Sequence, residues 1–517
     1  MTYRLGIDVG GTNTDAVILD KNDQPVAKIK VATTEDVTTG ILNALDGVLK
    51  DSSVDPSEIK YAMLGTTHCT NAIVERKNLA RVGIIRIGRP ATLSIKPLIS
   101  WPEDLVEAIG GYTHIVHGGH EYDGRELAPL DEEEVKRAVK DLKEKGVESV
   151  AISAVFSPVN NEHELRVAEI VREIMGDVPI SLSHEIGSIS LLERENAAIL
   201  NAAVVKVAEI AVKSFENALK KKGIDAQLYI TQNDGTLMSA EYALKYPVLT
   251  IASGPANSLR GGTFLSGLKN AVVVDVGGTT TDIGVLVNGF PRESSVAVEI
   301  GGVRTNFRMP DLISIGLGGG SIVEEVNGDV KVGPRSVGYR LEKEALVFGG
   351  NTLTTTDIAV SLGRIKLGDP SKVENLDKTL VEKAAGKIKT MVEEAIDRMK
   401  TSPEPVPVIL VGGGSIIIPD ELRGASEVIK PPHFEVANAI GAAIAQVSGE
   451  IDKVFSLEER SREDVLKEAK EIAVKEAIKA GADPNTVEIV DIDEVPLAYL
   501  PGNAIRIRVK AAGYLKI

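Results

Sequence analysis

Asp8-Val9-Gly10-Gly11-Thr12 places a carboxylate, two glycines and a hydroxyl within one short stretch. Apolar runs flank it, in LGIDVGGTNTDAVIL over 5–19, so the local reading is a β-hairpin turning at Gly10-Gly11. Glycines accept positive φ and let a ligand approach the main chain closely. Such a turn would aim backbone N–H groups, with the hydroxyls of Thr12 and Thr14, at an anion, and Asp8 could hold a cation or a water. The same glycines also serve a turn for steric reasons alone. The pattern recurs in VVVDVGGTTTDIGVLVNG over 272–289, where Asp275, Gly277, Gly278, Thr279, Thr281 and Asp282 repeat Asp8, Gly10, Gly11, Thr12, Thr14 and Asp15. Across 8–19 and 275–286, 8 of 12 positions are identical, 267 residues apart. A separation that long means a duplicated domain rather than a short repeat. Two such hairpins facing each other would hold a polyphosphate between them.

Three other stretches carry chemistry-bearing residues. Gly65-Thr66-Thr67-His68-Cys69-Thr70-Asn71 joins a strand (61–64) to a helix (72–77). Thr66, Thr67 and Asn71 there are candidate ligand contacts, or a Thr-rich helix cap. In ISIGLGGGSI (313–322), Gly318, Gly319 and Gly320 form a second place where backbone N–H groups would meet a phosphate or carboxylate. In VPVILVGGGSIII (406–418), a buried strand runs into Gly412, Gly413, Gly414 and Ser415. That gives a flat surface suited to adenine or ribose, or simply a tight turn. His114, His117 and His120 sit in a less regular stretch ahead of Glu121, Asp123 and Glu126. Their three-residue steps fit no standard zinc signature, which favours local hydrogen bonds over a metal.

The elements that must position these residues follow from composition and order. With 517 residues, two or three domains are expected. Apolar residues make up 43 % but aromatics only 4 %, so the cores are Val, Ile, Leu and Ala, which favours α/β architecture. The net charge is 58 − 74 = −16, which argues against nonspecific binding to nucleic acid or to an anionic membrane. The single Cys69 excludes an intramolecular disulfide and a Cys-based metal cluster within one chain. No apolar run approaches 18 residues and no signal peptide opens the chain, so a cytoplasmic protein is expected. Strands and helices alternate from 82 to 231, with Asp131 capping a helix to Lys145, and this predicts an inserted α/β unit between the two hairpins. We read four segments: 1–80 with the first hairpin, 81–245 inserted, 246–450 with the second hairpin and the Gly412–Ser415 turn, and 451–517 as a small C-terminal cap.

Hairpin, hairpin, then a strand into GGG followed by the small-residue helix NAIGAAIAQ (438–446) resembles the actin/hexokinase/Hsp70-type ATPase superfamily. The chain resembles the hydantoinase A/5-oxoprolinase family more strongly still. The segments that carry this are GTTHCTNAIVERK (65–77), DGRELAPLD (123–131), SHEIGSISLLERENAAILNA (183–202), GTLMSAEYAL (235–244), SGPANS (253–258), DVGGTTTDIGVLVNG (275–289) and MPDLISIGLGGGSI (309–322). The resemblance implies duplicated ribonuclease-H-like (actin-like ATPase) domains around a nucleotide cleft. It also implies ATP-dependent opening of a cyclic amide such as a hydantoin, 5-oxoproline or a lactam, through phosphorylation of the amide oxygen.

On that resemblance, Gly10, Gly11, Thr12 and Asn13 face one side of the phosphates, and Gly277, Gly278, Thr279 and Thr280 the other. Asp8 and Asp275 hold Mg²⁺ through water, Asp282 is a further carboxylate of the cleft, and Gly412–Ser415 bed the adenosine. Thr66, Thr67, Asn71 and the glycines at 318–320 are the substrate candidates. The chain departs from longer members in two places: Asp311-Leu312-Ile313 replaces an Asp-x-His pair, and Gly-Gly-Gly-Ser replaces Gly-Gly-Ala-Gly-Pro. The B-type half of complete enzymes has no counterpart in these 517 residues, so a B-type partner subunit and a homo- or hetero-oligomer are expected. Two other functions fit the same fold: a small-molecule kinase, and an ATP-driven conformational partner of another protein.

Overall fold

The computed structural model describes residues 2–34, 37–294, 298–307, 309–500 and 502–515. Both hairpins form where the sequence puts them. β1 (Tyr3–Val9) and β2 (Asn13–Leu19) pair antiparallel, with Asp8 opposite Asp15, and β3 (Pro25–Ala32) continues the sheet. β1 and β2 are buried on both faces after their first residue. That explains continuous apolar runs in place of an in/out alternation. β4 (Ile59–Thr66) lies parallel to β1.

The region after β4 folds as a parallel sheet of its own. Its strands are β5 (Val82–Arg89), β6 (Tyr112–His117), β7 (Ser149–Ala154) and β8 (Ile180–Leu182), in the order β6-β5-β7-β8. Helices Glu132–Glu144 and Glu162–Met175 cover it, and the 31-residue helix Leu191–Lys221 packs on β7. Asp131 caps the first of these helices by accepting from Glu134 N at 2.9 Å, next to three glutamates at the positive helix end. His114 and His117 fall on β6, a regular strand and not an irregular stretch.

β9 (Gln227–Thr231) and β10 (Leu237–Ser239) return to the first sheet, β9 pairing parallel to β4. The inserted unit therefore ends before β9, which corrects the 81–245 boundary. The C-terminal strands also correct the expectation of a separate cap. Val447–Phe455, Ile505–Gly513 and Glu488–Pro496 extend the first sheet to nine strands, beyond β10. Periodicity locates strands but carries no information about partners far away in the chain.

The second hairpin repeats the first one's pairing. β11 (Ala271–Val276) and β12 (Thr281–Val287) are antiparallel, with Asp275 opposite Asp282, and Val406–Val411 lies parallel to β11 as β4 does to β1. Leu312–Ile315 pairs antiparallel with β12, in the place β3 takes beside β2. Two helices run between the hairpins, Ser253–Ser266 and Ala437–Ile444. They cross at small residues, and a side chain on Gly441 would collide with the Asn257 carbonyl. Among the described residues no helix is long and apolar enough to cross a membrane.

Candidate functional site

The two turns meet tip to tip. Gly10 N donates to Asn13 O at 3.0 Å and Gly277 N to Thr280 O at 2.9 Å, so both turns close by the same hydrogen bond. The Thr12 methyl lies 3.4 Å from where a Cβ on Gly278 would stand. Gly11 and Thr280 are exposed, while Gly10, Thr12, Asn13, Gly277, Gly278 and Thr279 are partly so. No atom lies within 4 Å of a Cβ built on Gly11. The tips are thus accessible surfaces carried on buried strands.

Beneath the tips lie four carboxylates. Asp8 is 4 % exposed, and both of its oxygens are held by amides from the two crossing helices. Asn257 Nδ2 donates to Oδ1 at 3.0 Å and Asn438 Nδ2 to Oδ2 at 2.9 Å. Asn438 also donates to Asp15 Oδ2 at 2.7 Å. Burial is the main cause that raises the Asp8 carboxyl to about 6, with Asp15 and Asp275 adding like charge against its amide donors. Asp275 is also raised by burial, while Ser258 Oγ donates to its Oδ2 at 2.5 Å. Burial and the neighbouring Asp275 bring Asp282 to about 6, and Ser314 opposes this by hydrogen bonding. Asp15 is raised by burial against the pull of Lys30, whose Nζ lies 2.5 Å from Oδ1.

The Gly412–Ser415 turn packs straight onto the second hairpin. Gly412 takes φ +82, and any Cβ there would strike Asp275 Oδ1. Gly65 has the same relation to Asp8 Oδ1 in the first hairpin. Gly413 is exposed and Gly412 partly so, whereas Gly414 and Ser415 are buried. The Ser415 hydroxyl has no hydrogen-bond partner among the described residues. The four residues expected to bed an adenosine therefore split into an accessible pair and a buried pair.

Gly318, Gly319 and Gly320 are not free to meet a substrate, which corrects that expectation. Gly319 N donates to Gly277 O at 3.0 Å, Gly320 N to Gly278 O at 2.8 Å, and Gly318 N to Ser321 Oγ at 2.9 Å. All three are buried. They buttress the second turn by main-chain contact. Thr66 is also turned inward, 5 % exposed, with its hydroxyl on His68 Nδ1. Thr67 and Asn71 stay near the surface. Thr67 Oγ1 donates to Val9 O at 3.2 Å, and a Cβ on Gly254 would lie between Thr67 and Asp8, 3.8 Å from Asp8 Oδ2.

The three histidines lie in separate surroundings. His114 Nε2 is 2.7 Å from Asp141 Oδ2, the His117 backbone N–H donates to Glu134, and His120 is buried against the His163 ring. Asp311 pairs with Arg292 at 2.7 Å. Among the described residues, no group of three or more His, Cys, Asp or Glu side chains forms an ion cage. Sequence reasoning missed Asn257, Asn438 and Lys30. The first lies within SGPANS and the second opens the NAIGAAIAQ helix, yet neither motif shows from sequence that its amide reaches a carboxylate 249 or 430 residues away.

Two family models match the chain in succession. The hydantoinase/oxoprolinase N-terminal region matches residues 4–175, and the hydantoinase/oxoprolinase model matches residues 194–369. The chain belongs to the hydantoinase/oxoprolinase family. Among its relatives is the acetophenone carboxylase gamma subunit of Aromatoleum aromaticum, 30 % identical over 399 residues, covering 70 % of this chain and 53 % of that protein. Another is the caprolactamase subunit alpha of Pseudomonas jessenii, 30 % identical over 393 residues, covering 71 % and 55 %. The chain thus spans about half the length of these family members. The solved structure of the ATP-dependent caprolactamase from Pseudomonas jessenii superposes with a TM-score of 0.75 at 21 % identity, over 99 % of this chain and 88 % of that one. A nucleotide-free acetone carboxylase structure gives a TM-score of 0.70 at 20 % identity, over the same shares. At these identities the likeness establishes the fold.

Proposed function

We propose that this chain is an ATP-dependent hydrolase that opens a cyclic amide, or the ATPase subunit of one. We read its two hairpin-bearing halves as a duplicated ribonuclease-H-like pair of the actin-like ATPase kind. The observation that carries the reading is the meeting of two near-identical turns, tips accessible, above four carboxylates, of which Asp8 and Asp15 are buried and Asp275 and Asp282 half-buried. Residues Gly10–Asn13 would grip the phosphates from one side and Gly277–Thr280 from the other, through backbone N–H groups and hydroxyls. Gly412 and Gly413, the accessible half of their turn, would border the nucleoside. Thr67 and Asn71 would contact the amide substrate.

The carboxylates fit a hydrated Mg²⁺ better than a directly bound ion. Both Asp8 oxygens and one Asp275 oxygen already accept hydrogen bonds, and no ion cage surrounds them among the described residues. Asp8 and Asp275 would therefore hold the ion through its water shell, which magnesium gives up reluctantly. When bound, the ion supplies positive charge to the phosphate oxygens. Asp282, raised to about 6, adds a third carboxylate to that shell.

The proposed chemistry suits an unreactive amide. The amide oxygen takes the phosphoryl group as the bond to the leaving ADP oxygen breaks. Water then adds to the activated carbon, the ring nitrogen leaves, and a second water frees phosphate. The chain's part is to hold the reactants in line and keep water out until transfer. Relatives named as subunits support a partner subunit, which we take to be the B-type half, and we place the reaction in the cytoplasm. ATP turnover screened against 5-oxoproline, hydantoins and caprolactam tests the proposal. Stimulation by one of them, with the opened amino acid detected by mass spectrometry, is expected. Accumulation of a stable phosphorylated product with no opened ring would contradict it.

A further inference from the structure

The two hairpins differ at one point of a shared pattern. In the first sheet, Gly65, Asp8, Asp15 and Lys30 stand in register across β4, β1, β2 and β3. In the second, Val411, Asp275, Asp282 and Ser314 form the equivalent row. A lysine ends one row and a serine the other. Lys30 is 31 % exposed at its side chain, whereas its partner Asp15 is 3 % exposed. It also reaches the opposite half. Its charge acts on Asp275, and its Cε lies 3.7 Å from where a Cβ on Gly413 would stand.

The stretches that build the site carry no other lysine or arginine. No Lys or Arg occurs in 8–15, 65–71, 253–258, 275–282, 312–321 or 412–415. Backbone N–H groups and hydroxyls orient a polyphosphate but do not neutralise it. Lys28, two residues earlier on β3, is committed to Glu435 and lies 3.0 Å from His433 Nδ1.

We propose that Lys30 is the cation that meets the terminal phosphate oxygens of the nucleotide, which rests on the nucleotide reading above. On binding, Nζ would exchange Asp15 Oδ1 for a phosphate oxygen, a move its flexible stem permits. Asp15 would keep the Asn438 amide on Oδ2. The ammonium retains its proton throughout, so the step makes and breaks only ionic hydrogen bonds.

The test compares binding of Mg·AMPPNP and of adenosine to the wild-type protein, Lys30→Met and Lys30→Arg by calorimetry. Lys30→Met is expected to weaken the triphosphate analogue by about tenfold or more, with adenosine unchanged and Lys30→Arg recovering most of the loss. As a check independent of folding, acetylation of Lys30 in the wild-type protein should be slowed by Mg·AMPPNP and not by adenosine. A Lys30→Met protein that binds the analogue like the wild type, or equal acetylation with both ligands, would overturn the role of Lys30 alone. Wild-type protein that takes up neither ligand would overturn the nucleotide reading with it.

Discussion

The two hairpins share a turn, a pair of facing aspartates and a parallel neighbouring strand, yet they keep their carboxylates in different ways. In the first, Asp8 and Asp15 receive amides from Asn257 and Asn438, and Lys30 offsets one negative charge. In the second, Asp275 and Asp282 receive hydroxyls, from Ser258 and Ser314, and no side-chain amide among the described residues. The first hairpin is the cross-braced half, tied to both crossing helices. The second is braced from its own half, by the main chain of Gly318–Gly320 and by the Gly412–Gly414 turn. The difference teaches that near-identical turns can be given separate tasks by the strand next to them.

The largest effect should come from the aspartates at the strand ends. Asp8→Asn and Asp275→Asn should each lower ATP turnover by at least about 100-fold, since on the proposed reading each removes a charge from the ion's shell. Circular dichroism should show both variants folded. If only one of them mattered, the two hairpins would not form a joint clamp. Next in size are the glycines against those aspartates. Gly65→Ala and Gly412→Ala should each cost about 1–3 kcal/mol in denaturant unfolding, by overpacking. Gly412 adds the strain of its φ of +82. Gly11→Ala, facing open space, should stay within about 0.5 kcal/mol of the wild type.

The raised carboxyls set a pH dependence of the nucleotide-free protein. Asp8 and Asp282 move from 3.8 to about 6 on folding, so the folded state binds protons more tightly. The stability they contribute is complete below pH 3.8 and is lost as pH rises through about 6. Melting temperatures of Asp8→Asn and Asp282→Asn should therefore fall less over this range than those of the wild type. An equal fall in all three proteins would refute that origin. The smallest effect sharpens the comparison directly. Ser314→Lys should give the second row the first row's cation and draw the Asp282 titration downward, as read by carboxyl NMR.

Much of this was legible in the sequence, for specific reasons. The turns could be read because their chemistry is local and occurs twice. Asp131 could be read as a cap because capping spans only three residues. Dense glycine signals close approach to a backbone, and at Gly318–Gly320 that backbone is the protein's own second turn, which no local pattern reveals. Lys30 was invisible because a lysine in VAKIKV looks like the wet side of an edge strand. Its meaning comes from the register of β3 against β2. The C-terminal strands look like a cap in sequence because their pairing with the first sheet is nonlocal. Asn257 and Asn438 escaped notice for the same reason.

The central claim is that the two turns jointly hold the phosphates of one nucleotide. Calorimetric titration of the wild-type protein with Mg·ATP, alongside Gly278→Val, tests it most directly. The wild-type protein should bind one nucleotide per chain, with a Kd between roughly 1 μM and 1 mM. Gly278→Val, which crowds the Thr12 contact between the tips, should weaken that binding by about tenfold or more. Absence of Mg·ATP binding by the folded wild-type protein, or equal affinity in the variant, would contradict the account.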